Sequence, residues 1–215
     1  MKLVEYLLVL IIPLLIVSCD FNKPIIISKT RLPLNTVSQT SYYPYDAKFS
    51  ITTLILKESR DKVWEAFSNE FELNKWYSPN VNLDFRIGGS ISVINDETSI
   101  FPGDTFTWSI LSFYPTKLIT YKVNLNDQFS EKCRKQDSNL QLIVILDNIE
   151  EDEVQIQLVM LGWGQGREWD KAYKMFEQYN KKSLENLLKY FQEGPVYNKD
   201  LKPKKDTVQI ITTNT

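Results

Sequence analysis

The chain has 215 residues, 43% of them apolar and 24% charged, with 25 Lys and Arg against 27 Asp and Glu for a net charge near −2. This fits one globular domain with additional segments, and the absence of a Lys/Arg excess argues against a nucleic-acid partner, whose phosphates call for a strongly basic face. There is no histidine, which excludes Ser/His and Cys/His nucleophile pairs, His-liganded zinc and an imidazole base poised near neutral pH. Five tryptophans, eleven tyrosines and eleven phenylalanines point instead to a large apolar interior or a pocket.

Met1-Lys2 is a short positive start, Leu7 to Val17 is apolar, and Ser18 is the small residue before Cys19. That order reads as an export signal. Ile16-Val17-Ser18-Cys19 resembles the lipobox of bacterial lipoproteins, in which the thiol is alkylated by diacylglycerol and the chain is cut just before the cysteine. The alternative, an uncleaved membrane anchor, meets a run from Leu3 to Ser18 that is shorter than the roughly 20 residues of a spanning helix and contains Glu5 and Pro13. Residues 1–18 are therefore expected to be a lipoprotein signal peptide, and Cys19 the lipidation site of a protein held on the non-cytoplasmic side of a membrane in a bacterial envelope. Two or more acyl chains give stable anchoring. Asp20 resembles an inner-membrane retention signal, although the leaflet stays open. Acylation of Cys19 leaves Cys133 as the other cysteine, so no intramolecular disulfide is expected. Cys133 sits between cations in Glu131-Lys132-Cys133-Arg134-Lys135, where it reads as an incidental thiol in a polar loop.

Residues 19–46 contain three prolines and many Ser, Thr and Asn residues, and read as a lipidated tether. From Lys48 to Lys57 the chain reads as a strand. Arg60 to Asn69 follows as a helix with Val63, Trp64 and Phe67 at helical spacing and Ser59 suited to the N-cap, and Glu72 to Trp76 is a second short helix. Six strand-like runs come next: Val81–Arg86, Ser90–Asn95, Thr105–Phe113, Lys117–Leu125, Leu140–Leu146 and Glu153–Leu161. Gly88-Gly89, Pro102-Gly103, Tyr114-Pro115-Thr116 and Asn148 to Asp152 supply turns between them. The carboxylates of Glu150-Glu151-Asp152-Glu153 point apart on a tight hairpin and read as a solvated turn. Gly166 to Glu193 is the longest helical pattern, with Trp169, Tyr173, Phe176, Leu184, Leu187 and Phe191 on one face and Asn180 as a polar interruption. Residues 196–215 read as a loose C-terminal tail whose Val208 to Ile211 are suited to an edge strand.

The order of strand, two short helices, six strands and long helix describes an α+β helix-grip fold: a curved antiparallel sheet wrapped around a long C-terminal helix. Val63-Trp64-Glu65-Ala66-Phe67 resembles the first-helix motif of the START-like, or SRPBCC, superfamily, and Leu73-Asn74-Lys75-Trp76-Tyr77 resembles its next step, with Tyr77 in place of a second tryptophan. Asp84-Phe85-Arg86-Ile87-Gly88-Gly89 resembles a segment of the branch named after the activator of heat shock protein 90 ATPase homologue. Tyr114-Pro115-Thr116-Lys117-Leu118-Ile119 and Gly162-Trp163 to Leu188 are similar to later parts of the same branch. The resemblance covers about residues 48 to 194, within a domain placed at 47–195, and Asn126 to Ser138 stands out as a longer polar insertion.

The resemblance implies a cavity between sheet and helix, and on that analogy Trp108, Tyr121, Tyr173 and Phe176 are the expected ligand-binding residues. The leading expectation is a membrane-anchored, non-catalytic module for a small hydrophobic molecule or lipid, driven by apolar burial. One alternative is an enzyme related to polyketide cyclases, with Glu168, Asp170 or Tyr173 as candidate groups that lack a recognisable partner spacing. Another is a protein-interaction module resembling the chaperone activator, which export would separate from an ATP-driven cytosolic chaperone. Catalytic residues, metal and cofactor are expected to be none: Gly162-Trp163-Gly164-Gln165-Gly166 has Arg167 where a third dinucleotide-motif glycine would fall, and no following strand completes a βαβ unit. Arg86 reads as an ordinary exposed strand-end charge.

Overall fold

The computed structural model describes residues 32–42, 48–94 and 105–197. The expected signal peptide, Cys19, both ends of the expected tether, and residues beyond 197 lie outside the described residues. Eight antiparallel strands form one curved sheet in the order β1-β2-β8-β7-β6-β5-β4-β3. They are β1 (Val37–Tyr42), β2 (Phe49–Leu56), β3 (Val81–Leu83), β4 (Ser90–Val93), β5 (Phe106–Tyr114), β6 (Leu118–Lys122), β7 (Gln141–Glu150) and β8 (Glu153–Leu161). Between β2 and β3 the chain crosses to the far edge through α1 (Arg60–Ser68) and α2 (Glu70–Trp76), then meanders back until β8 pairs with β2. A five-residue helix α3 (Glu131–Lys135) and a 3-10 turn at Asp137–Asn139 separate β6 from β7, and the 27-residue α4 (Arg167–Glu193) closes the fold.

The inner face follows from strand alternation. In β8, Val154, Ile156, Leu158 and Met160 are buried, and the register sets Leu158 opposite Val144 and Met160 opposite Leu142. Tyr121 continues the row opposite Leu142 and Ile110 opposite Tyr121, while Trp108 faces Ile91 across β4 and β5. The register shifts between Ile110 and Ser112 and between Asn148 and Glu150. Leu111 and Ile149 lie outward at these bulges, and bulges add the local twist a wrapping sheet requires. Gly89 makes the other bend: a Cβ there would lie 2.1 Å from the carbonyl oxygen of Asp84, while its own carbonyl accepts from the Ile110 amide at 2.8 Å.

α4 lies against β1 and β2. On β2 the small hydroxyl residues Ser50 and Thr52 are both fully buried, allowing close approach, and Tyr173 donates its hydroxyl to the carbonyl oxygen of Phe49 at 3.2 Å. The strand β1 falls within residues that read as tether. Val37 packs against the core, and the polar residues after it fasten the strand to the helix by hydrogen bonds: Gln39 Nε2 donates to the Glu177 carbonyl and the Ser41 hydroxyl to the Glu177 carboxylate. The domain boundary at 47 is thus too late for this edge.

Other local expectations shift as well. Ser59 holds the N-cap position of α1 with extended backbone, but its side chain makes no capping bond. Asn69 caps α2 instead, accepting from the Phe71 amide at 2.8 Å and the Glu72 amide at 3.4 Å, so that helix begins at Glu70. The Trp76 indole donates to the Ala66 carbonyl at 2.8 Å and locks the two short helices together. Beyond α4, the amides of Val196 and Tyr197 both donate to the Lys75 carbonyl at 2.9 Å, so the chain is still fixed where a loose tail was expected to start.

Candidate functional site

A cavity of about 30 Å³ lies between the sheet and α4. Its floor is the inner row Ile91, Trp108, Tyr121, Leu142, Val144 and Leu158; Phe67, Leu73, Trp76 and Tyr77 close its side; Asn180 and Ser183 form the helix wall. The helix creates the space. Along the buried stripe of α4, Trp169, Tyr173 and Phe176 fill one end and Leu184 and Leu187 the other, whereas the middle carries the short side chains of Asn180 and Ser183. Room for one water takes roughly 10–15 Å³, and an apolar cavity of roughly 150 Å³ takes benzene. The space therefore admits about two waters as it stands, and anything larger must displace a wall.

The wall best placed to move is Trp108. It also borders a second space of about 20 Å³, lined by Phe106, Asn124, Asn126, Gln128, Phe129, Phe176 and Tyr179. The insertion supplies the outer side of this second space. Phe129 stacks on Phe176 with centroids 5.6 Å apart and planes at 19°. Ser130 caps α3 by accepting from the Cys133 amide at 3.3 Å and donates to Glu168 at 2.7 Å, and the Trp169 indole donates to Gln136 at 3.1 Å. Far from a free polar loop, the insertion is fastened along the N-terminal half of α4, with Cys133 buried beneath it.

Of the four residues expected at a ligand site, Trp108 and Tyr121 line the cavity and Phe176 lines the adjoining space. Tyr173 lines neither, because its hydroxyl is spent on the Phe49 carbonyl and its ring packs edge-on against Trp163 at 5.1 Å. Asn180, Ser183 and Tyr77 belong to the cavity, and the sequence pattern does not single them out for it; the signal for Asn180 is a polar residue interrupting an apolar helical stripe.

Burial raises the phenol pKa of both Tyr121 and Tyr77, and the neighbouring Tyr121 raises Tyr77 further. Both remain neutral O–H groups rather than bases. Among the described residues, no carboxylate, lysine or arginine lines the cavity. Glu168 is exposed and engaged by Ser130, and Asp170 pairs with Lys48 on the surface. Arg86 is exposed and pairs with Asp84 at 2.9 Å, and Glu151-Asp152 forms the solvated β7–β8 turn. The Gly162–Gly166 segment is shaped by packing: a Cβ on Gly164 would lie 2.2 Å from the Trp169 indole nitrogen. Among the described residues, no helix is long and apolar enough to cross a membrane, and no cluster of three or more Cys, Asp or Glu side chains could hold a metal ion.

The sequence model of the Activator of Hsp90 ATPase homolog 1-like protein family matches residues 57–192. The chain belongs to that family. Its solved neighbours agree on the fold of this activator-homologue-like domain. The Aha1 dimer from Colwellia psychrerythraea has a TM-score of 0.52 at 14% identity, covering 67% of this chain and 96% of that one. A conserved protein of unknown function from Enterococcus faecalis gives 0.54 at 10% identity, covering 76% and 82%. CalU16 from Micromonospora echinospora gives 0.53 at 13% identity, covering 80% and 85%. No curated protein matches the chain. At these identities the neighbours speak for the architecture of the activator-homologue-like domain, and function has to be argued from its site.

Proposed function

We propose that this chain is a membrane-anchored lipoprotein whose activator-homologue-like domain binds a small hydrophobic molecule, without catalysis, between the sheet and α4. The observation that carries the reading is the cavity itself: an aromatic-walled space with no charged side chain in its lining among the described residues, bounded on the helix side by the short side chains of Asn180 and Ser183 between Phe176 and Leu184. Apolar burial at about 25 cal/mol per Å² supplies the affinity. Because the space is small, the ligand either has only a few heavy atoms or displaces Trp108 and joins the two neighbouring spaces. The neutral phenols and the surface engagement of Glu168 and Asp170 favour binding over acid–base chemistry. The anchor rests on the lipobox-like Ile16 to Cys19, and an exported protein does not meet an ATP-driven cytosolic chaperone.

Native mass spectrometry of the full chain, extracted from membranes in detergent, tests both halves. The expected spectrum shows a chain starting at an acylated Cys19 together with a non-covalently bound apolar molecule. An unacylated chain refutes the anchor; a chain that neither carries nor takes up any apolar molecule refutes binding. Cys19→Ala is expected to release the protein from the membrane or stall it as an uncleaved precursor.

A further inference from the structure

The helix wall of the cavity holds a donor that no described protein group meets. Asn180 is 3% exposed, and its Nδ2 has no hydrogen-bond partner among the described residues. A primary amide brings two N–H donors, and a buried donor left unmet carries its full desolvation cost. This happens on the apolar stripe of α4, where a leucine would fill the space and remove the cost. Ser183 adds a hydroxyl to the same wall, and Tyr121 and Tyr77 contribute phenols that burial keeps protonated. Each of these polar groups can donate a hydrogen bond into the cavity, and the Asn180 Nδ2 is the one left without a protein acceptor among the described residues.

The rest of the lining narrows the ligand. With no charged side chain in the wall among the described residues, an ionised carboxylate or ammonium would be buried uncompensated, which is prohibitive. A pure hydrocarbon would fill the apolar part and leave the Asn180 donor orphaned. A neutral oxygen acceptor on an otherwise apolar body satisfies both demands. Resting on the binding function proposed above, we infer that the ligand is a neutral, mainly apolar molecule carrying one carbonyl-type oxygen, and that Asn180 Nδ2 donates to that oxygen. Asn180 is then the residue that selects among hydrophobic molecules of similar shape.

The test uses cyclohexanone and methylenecyclohexane, which share a ring and differ in C=O against C=CH2. Both are titrated into the full chain in one non-ionic detergent, followed by 1H–15N spectra, so that partition into micelles cancels when proteins are compared. The ratio of dissociation constants, hydrocarbon over ketone, is expected to fall by at least about tenfold from wild type to Asn180→Leu, the scale of one buried hydrogen bond. Asn180→Ala is a second background in which the same fall is expected. In the wild-type chain, ketone but not hydrocarbon is expected to move the Asn180 side-chain amide resonance, a readout that needs no variant to fold. An unchanged ratio with an unmoved resonance overturns the inference while leaving hydrophobic binding in place. Failure of both probes to bind the wild-type chain overturns the binding function, and the inference with it.

Discussion

Trp108 and Phe176 hold their ring centroids 6.3 Å apart with planes inclined at 36°, joining the floor of the inner cavity to the helix and insertion that border the outer space. Trp108 also packs on Phe106 at 4.7 Å and faces Tyr121 at 6.4 Å, so its indole is the partition between two spaces. Removing it should cost stability and gain capacity. Trp108→Ala is expected to destabilise the domain by about 3–5 kcal/mol, the usual range for emptying a buried aromatic site. The same variant should bind benzene more tightly than wild type, because no ring has to be displaced. Urea unfolding and a benzene titration measure the two effects; equal or weaker benzene binding would show that Trp108 is not the partition.

The two adjacent glycines make unequal demands. Gly88 has φ +79°, and a methyl added there would meet no atom within 4 Å, so Gly88→Ala faces backbone strain alone, about 1 kcal/mol. Gly89→Ala instead drives a methyl into the Asp84 carbonyl and threatens the bonds from Asp84 to Ser90 and from Ile110 to Gly89. It is expected to cost more than about 2 kcal/mol, as disruptions of a fixed backbone arrangement do. Urea midpoints of the two variants decide the matter, and a Gly88 variant as damaged as the Gly89 one would contradict this account of the bend.

What was legible in the sequence was whatever had a period. Val154 to Met160 alternate and Trp169 to Leu187 step by three and four, so the strands, the long helix and their inner faces could be read directly. β1 was not legible, since Val37-Ser38-Gln39-Thr40-Ser41 has no apolar alternation and is held by backbone pairing to β2 and by side-chain bonds to Glu177. The insertion failed for a similar reason: one cysteine and one phenylalanine, Cys133 and Phe129, anchor it from within a polar stretch. At the site, large aromatics drew attention as pocket candidates, yet a pocket forms where side chains are short. Tyr173 fills space, and Asn180 leaves it.

Alkaline stability reports on the buried phenols. Burial holds Tyr121 and Tyr77 above the ordinary tyrosine value, with Tyr121 adding to the effect on Tyr77; Tyr190 is raised by burial and then by its hydrogen bond to Glu72. In the unfolded chain these groups ionise near about pH 10. Below that pH both states hold the protons and stability is flat. Above it the unfolded state releases protons first, so stability falls as pH rises, by up to about 1.4 kcal/mol per pH unit for each fully buried phenol. Urea midpoints should stay level from about pH 7 to 9 and then decline. Tyr121→Phe should flatten the decline, because it removes one such phenol and relieves Tyr77; a slope identical to wild type would sink this explanation.

Thiol counting tests the burial of Cys133 and the lipidation of Cys19 together. Cys133 is 1% exposed, on a helix whose N-cap Ser130 accepts from the Cys133 backbone amide. Reactivity requires an accessible thiolate, and the cations at Lys132, Arg134 and Lys135 cannot activate a sulfur that a reagent does not reach. The full chain purified from membranes is therefore expected to give no reaction with an aromatic disulfide reagent while folded. In denaturant a single thiol should appear, because an acylated Cys19 is a thioether and only Cys133 remains. Two thiols in denaturant would show that Cys19 is unmodified and remove the anchor. A thiol that reacts at full rate in the folded chain would mean that the insertion does not stay closed over Cys133, and the outer wall of the second space would have to be redrawn.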